Sequence, residues 1–149
     1  MATYLLVGHQ TAESEELLAA ATRLHEEDAE ASFVLLVPAT PVSALLTWDR
    51  DETAEVARKK AVSARERLVK HGLRVIEART GDQNPVAAIN DELLEGRHRY
   101  SSIVLSTLPP GLSRWLSMDV VSRVRRSFPD LEVIHVVGAA PRTGTDARS

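Results

Sequence analysis

Apolar residues fall in five short, dense runs separated by stretches in which they recur every three or four positions. The first run, Tyr4-Leu5-Leu6-Val7, ends at Gly8 and shows no alternation, the pattern of a strand covered on both faces. Phe33-Val34-Leu35-Leu36-Val37 repeats it and stops at Pro38. Later runs centre on Val75-Ile76 within residues 73–78, on Ser102-Ile103-Val104-Leu105-Ser106, and on residues 132–137. Between them the period changes to that of helices. Leu17, Ala21 and Leu24 share one face of a helix that Thr11 or Ser14 would cap. Ala57, Ala61, Ala64 and Leu68 share a face of a second, predicted from about Thr53 to His71 and stopped by Gly72. Asn84-Pro85 opens a third, because asparagine caps and proline lacks only an N–H that would be orphaned anyway. Val86, Ile89 and Leu93 form its inner stripe, and Gly96 ends it. A last helix is predicted from about Ser113 to Phe128, burying Leu116, Val120 and Val124. Its late arginines, Arg123, Arg125 and Arg126, suit the negative end of the dipole, and Pro129 stops it.

The alternation βαβ-loop-αβαβαβ, with a long loop from Pro38 to Glu52, predicts one doubly wound, Rossmann-like α/β domain: a five-stranded parallel sheet with helices on both faces. Right-handed crossovers leave few strand orders open. In such sheets ligands bind beyond the carboxyl ends of the strands, at the switch point. The candidate ligand-binding residues are therefore Gly8, His9 and Gln10 after the first strand, Val37 and Pro38 at the end of the second, and Ser106, Thr107, Gly111, Ser113 and Arg114 after the fourth. Arg114 stands in the first turn of the last helix, where a cation opposes the dipole by a few tenths of a kcal/mol, roughly. Either it is there to meet an anion, or it points to solvent or pairs with a local acid such as Asp119. Leu45, Leu46 and Trp48 in the long loop, with Trp115 at the other lip, would wall a pocket, meet a partner, or pack the loop onto the sheet edge. The domain is expected to span residues 1–137. Residues 138–149, with two glycines, a proline and little apolar content, read as a flexible tail.

Composition removes several classes of function. The 149 residues include no cysteine, which excludes disulfides, thiolate metal sites and thiol catalysis. Net charge is -3 with no basic block, which argues against nucleic acid as a partner. His25, His71, His98 and His135 fall on separate elements without metal-ligand spacing. No nucleophile elbow, P-loop or acid–base pair can be placed, so the expectation is a protein without catalytic activity. No apolar run approaches the ~20 residues of a membrane helix. Met1-Ala2-Thr3 leads straight into the first strand, and the expected compartment is the cytoplasm.

Three segments carry a family resemblance over roughly residues 3–137. They are Gly81-Asp82-Gln83-Asn84-Pro85, Ser101-Ser102-Ile103-Val104-Leu105, and Leu131-Glu132-Val133-Ile134-His135-Val136-Val137. With the element order and the long loop after the second strand, they resemble the universal stress protein family, a branch of the adenine nucleotide alpha hydrolase-like folds. The resemblance implies a homodimer through the fifth strand, by Val133, Ile134 and Val136, and ATP or AMP as the ligand to test. ATP-binding members carry G-x2-G-x9-G-[ST] after the fourth strand, where the glycines admit phosphates to backbone N–H groups. Here Ser106, Pro109, Asp119 and Val120 stand at those positions, and Gly8-His9-Gln10-Thr11 replaces the aspartate that follows the first strand. Both departures argue against tight ATP binding by the family's usual mode. Two readings remain: a stress-response protein binding a small ligand at the sheet's carboxyl edge, or a ligand-free dimeric interaction module.

Overall fold

In the computed structural model, which describes residues 2–40 and 50–139, the five apolar runs pair into one parallel sheet. Its strands are β1 (Thr3–Val7), β2 (Ser32–Pro38), β3 (Arg74–Gly81), β4 (Ser102–Thr107) and β5 (Glu132–Val137), in the order β3-β2-β1-β4-β5. The helices are α1 (Glu15–Glu27), α2 (Arg50–Lys70), α3 (Pro85–Glu95), α4 (Arg114–Ser117) and α5 (Val120–Ser127). Side chains alternate across the pleat, so each strand feeds two cores. Leu6, Phe33 and Leu35 meet Leu17 and Ala21 of α1 and the small stripe Ala57, Ala61, Ala64 and Leu68 of α2. Leu5, Val7, Val34, Leu36, Ile103 and Leu105 meet Ile89 of α3, Trp115 of α4, and Val120 and Val124 of α5. Every residue of β2 is buried, which is why its sequence shows no alternation.

The caps fall where the side chains dictate. Ser14 accepts the Leu17 N–H at 3.1 Å, and Asn84 accepts those of Val86 and Ala87. Gly81 ends β3 against α3: a Cβ there would lie 2.9 Å from Ala88 Cβ and 3.2 Å from Leu36 Cδ1. Gly81→Ala is therefore expected to lower stability by about 1–3 kcal/mol through overpacking. Urea unfolding measures this, and an unchanged midpoint would mean that α3 rides outward at no cost.

Three boundaries depart from the sequence pattern. β3 continues past Ala78 to Gly81, because Pro38 of β2 still has Gly81 as its ladder partner. The single helix expected from Ser113 to Phe128 is two. Met118 gives its N–H to the Arg114 and Trp115 carbonyls, and Asp119 closes the break with φ 58°. The break turns Trp115 into the core while Val120 and Val124 stay on the buried face of α5. α2 begins at Arg50, ahead of the expected Thr53. Leu45, Leu46 and Trp48 lie outside the described residues, as does the expected tail from residue 140 onward. Gly138 and Ala139 are tied down, by the Thr107 carbonyl at 2.8 Å and by Glu16 Oε1 at 3.3 Å.

Each edge strand lends a carbonyl to an arginine of the helix beside it. Arg65 of α2 donates through Nε and Nη2 to Val75 O, at 3.2 and 2.9 Å. Arg125 of α5 donates to Val133 O at 3.2 Å. At β3 the register with β2 skips Ile76, a bulge beside the guarded carbonyl. Both are devices that discourage edge-to-edge pairing. The side chains expected at a dimer interface are turned largely inward: Val133 is buried, and Ile134 and Val136 pack partly against the α1-side core. Among the described residues no helix is long and apolar enough to cross a membrane.

Candidate functional site

The chain after β1 goes to α1 on one side of the sheet, and the chain after β4 goes to α4 and α5 on the other. β1 and β4 are neighbours, so their carboxyl ends form the switch point. Two tight turns leave from it. After β1, Ala12 N–H bonds the His9 carbonyl at 3.1 Å and Ser14 N–H bonds the Thr11 carbonyl at 3.0 Å. After β4, the chain runs through Leu108-Pro109-Pro110 and reverses at Gly111, whose φ is 89°. Ser113 then caps α4 by accepting the Leu116 N–H at 3.1 Å. Between the turns lies a cavity of about 590 Å³.

Hydroxyls knit its walls. Thr11 and Ser106 share a buried hydrogen bond of 2.6 Å that ties the β1 turn to the end of β4. Thr40, just past β2, donates to the Gln83 carbonyl at 2.8 Å and accepts the Trp115 indole N–H at 3.2 Å. Thr107 donates to the Leu108 carbonyl at 3.0 Å and lies 2.8 Å from His135 Nε2. Burial, then Arg125, holds His135 below the usual histidine range. Leu108 and Trp115 are buried beside the cavity without filling it.

The loop after β4 is poorly furnished for phosphate. Pro109 and Pro110 carry no N–H, and those of Leu112 and Ser113 both turn back to the Pro109 carbonyl, at 3.0 Å each. α4 is four residues long, so the macrodipole that would make a helix start attractive to an anion is short. Among the described lining residues Arg114 is the one with a formal charge, and it is exposed. His9 is buried among the lining residues. Burial, with Lys60 adding to it, pushes its imidazole down to about 4, so the ring is neutral at pH 7. Neither ring nitrogen has a hydrogen-bond partner among the described residues.

Of the residues the sequence picked out, His9, Gln10, Ser106, Thr107, Gly111, Ser113 and Arg114 come together around this cavity. Gly8, Val37 and Pro38 do not line it. Gly8 N–H bonds the Leu36 carbonyl at 3.3 Å, and Val37 and Pro38 are held in the β2 ladder. Thr11 and Thr40 line it too, and sequence reasoning passed over both as site residues. Thr11 read as a helix cap, the role Ser14 takes. Thr40 lay in the long loop expected from Pro38 to Glu52, yet it follows β2, whose end abuts β1, and that adjacency was the available signal. Among the described residues no cluster of three or more His, Asp or Glu is placed to hold a metal.

No protein-family model matches the chain, and no curated protein matches its sequence. Solved structures do resemble it in shape. The universal stress protein from Archaeoglobus fulgidus aligns over 91% of this chain and 93% of its own, with a TM-score of 0.59 and 15% identity. A protein from the universal stress protein family from Burkholderia pseudomallei covers 90% of this chain and 94% of its own, with a TM-score of 0.58 and 18% identity. The chain has the universal stress protein fold.

Proposed function

We propose that this chain is a stress-response protein without catalytic activity that binds a small ligand, other than a polyphosphate, in the switch-point cavity. The observation that carries the reading is the cavity itself: about 590 Å³ between the β1 and β4 turns, walled by serine and threonine hydroxyls. A site of this position and size is where a doubly wound sheet places its ligand. The stress-response part rests on the fold likeness and is an analogy.

Nucleotide binding through a phosphate cradle has little support. The missing glycines are one reason and the inward-turned N–H groups of Leu112 and Ser113 are a second, independent one. Catalysis lacks an activated nucleophile among the described residues: Thr107 and His135 lie 2.8 Å apart, but no described carboxylate pairs with the imidazole to orient it.

Isothermal titration calorimetry with ATP and AMP, on protein refolded to remove carried-over ligand, tests the reading. Neither is expected to bind with a Kd tighter than about 1 mM, which corresponds to ~4 kcal/mol. Low-micromolar affinity for ATP would overturn the argument from the loop and make the protein a nucleotide sensor.

A further inference from the structure

A second hollow, of about 840 Å³, lies between α2 and the edge strand β3 and shares no lining residue with the switch-point cavity. β3 is the edge opposite β5. Val62 and Val69 stand two turns apart on the flank of α2, 54% and 48% exposed, beside the inward stripe of Ala57, Ala61, Ala64 and Leu68. Valine is a poor choice for an exposed helical position. Ile76, 39% exposed, joins them from β3. It is the residue that the bulge leaves without a partner on β2, and bulges re-aim side chains. Single exposed apolar residues need no explanation, but three lining one hollow mark a surface for a partner.

The rim decides which partner. Arg58, Arg65 and Lys70 of α2 stand along it, against Glu66 and Glu77. Glu77 is already held by Arg79, Arg97 and His98. Arg58 pairs with Glu55 at 2.6 Å, but both side chains are more than half exposed and the contact is worth little. Arg65 gives hydrogen bonds to the Val75 carbonyl, which leaves its charge uncompensated. The groove is thus net basic on a chain whose net charge is -3. A two-fold contact with a second copy would set this stripe of cations against itself. An extended peptide would need the β3 edge, where Arg65 caps the Val75 carbonyl and the bulge interrupts the ladder. A helix needs no backbone partner. From Arg58 to Lys70 the groove runs about 18 Å along α2, room for about three turns.

We propose that the α2–β3 groove is a docking site for an amphipathic helix of another protein, apolar toward Val62, Val69 and Ile76 and acidic toward Arg58 and Lys70. Burial of the three apolar side chains supplies the affinity, and the acids supply orientation and rate of encounter.

The probe is a fluorescein-labelled helical peptide of about 16 residues, with leucines at i, i+3, i+4 and i+7 on one face and glutamates on its flanks. Its control carries lysines in place of the glutamates. Fluorescence anisotropy with the full chain is expected to give the acidic peptide a Kd on the order of 10–100 μM, weakened by salt, and the control a Kd about tenfold weaker or more. Val69→Glu is expected to weaken the acidic peptide by about tenfold or more, and Lys70→Glu by about threefold to fivefold. Both positions are exposed, so the variants are expected to melt within about 2 °C of wild type, and loss of binding is not loss of fold. Equal affinity for the two peptides, or binding that Val69→Glu leaves unchanged, overturns the proposal. No binding of the acidic peptide at about 1 mM protein, where a complex holds only ~4 kcal/mol, overturns it as well. A dimer in sedimentation velocity that Val69→Glu dissociates also overturns it, by making a second copy the occupant.

Discussion

Glu92→Ala is expected to lower the stability of the domain by about 2–4 kcal/mol, the cost of leaving a buried phenol without its acceptor and a partly buried guanidinium one carboxylate short. Glu92 sits on the inner face of α3 and is 3% exposed. Its Oε2 accepts the Tyr100 hydroxyl at 2.6 Å, and its Oε1 meets Arg79 Nε at 3.2 Å. Arg79 belongs to the edge strand β3 and Tyr100 to the entry of β4, so one carboxylate fastens three elements. Burial, then the neighbouring carboxylate, raises the Tyr100 phenol far above its ordinary range, and it remains a donor. Removing the carboxylate leaves the buried Tyr100 phenol without its acceptor and takes one of three carboxylates from Arg79. Glu77 and Glu95 also pair with Arg79, at 3.3 and 2.7 Å, but Glu95 is 44% exposed and its pairs with Arg79 and Arg97 contribute less. A native domain holds only about 5–15 kcal/mol in all, so this single change removes a large part of it. Urea unfolding with an unchanged slope measures the effect, and Glu92→Gln, which keeps the volume, is expected to cost less. A loss below about 1 kcal/mol for the alanine variant would mean that water reaches Arg79 and Tyr100 once the carboxylate has gone.

Nothing in the apolar pattern marked Glu92. The stripe of α3 was read from Val86, Ile89 and Leu93, whereas Ala88, Ile89 and Glu92 are the residues pressed inward together with Pro85. A glutamate at that position looks like a solvated face until Arg79 is known to stand opposite, and Arg79 is opposite only because β3 lies at that edge. Long-range polar pairs of this kind depend on strand order, which periodicity does not encode. The strands and the caps were legible, because burial on two faces and the Asn84-Pro85 start leave strong local marks. The break at Asp119 was not. Leu116, Val120 and Val124 satisfy one continuous helical period, and only the demand of Trp115 for a buried place separates α4 from α5.

The site was legible to the extent that topology alone dictates it. Knowing that β1 and β4 end at the switch point brought His9, Ser106 and Ser113 into view together. It could not say that Thr40 and Trp115 would bond across the cavity, since those residues lie on different segments, 75 positions apart. Arg114 shows the opposite error. Its meaning was drawn from a long helix dipole, and the dipole belongs to a helix of four residues.

Acid is expected to expose the cost of keeping His9 neutral. Its pKa is about 4 in the folded protein against an ordinary 6.5, so between these values the unfolded chain holds more protons than the native one. Stability therefore rises with pH across that window: it is complete above about 6.5 and falls as pH drops toward 4. The difference amounts to about 3 kcal/mol, lost at close to 1.4 kcal/mol per pH unit in mid-window. His135, lowered in the same direction by burial and Arg125, adds to the slope, whereas Glu77, held low first by its hydrogen bond from His98, loses its contribution only below its ordinary 4.5. Comparing wild type with His9→Leu removes both, because each is common to the two proteins. Urea midpoints at pH 7, 6, 5 and 4.5 should show the variant gaining on the wild type at each step down. A constant gap between them over that range would mean that the imidazole finds water or turns outward on protonation, and that its burial places no limit on the native state.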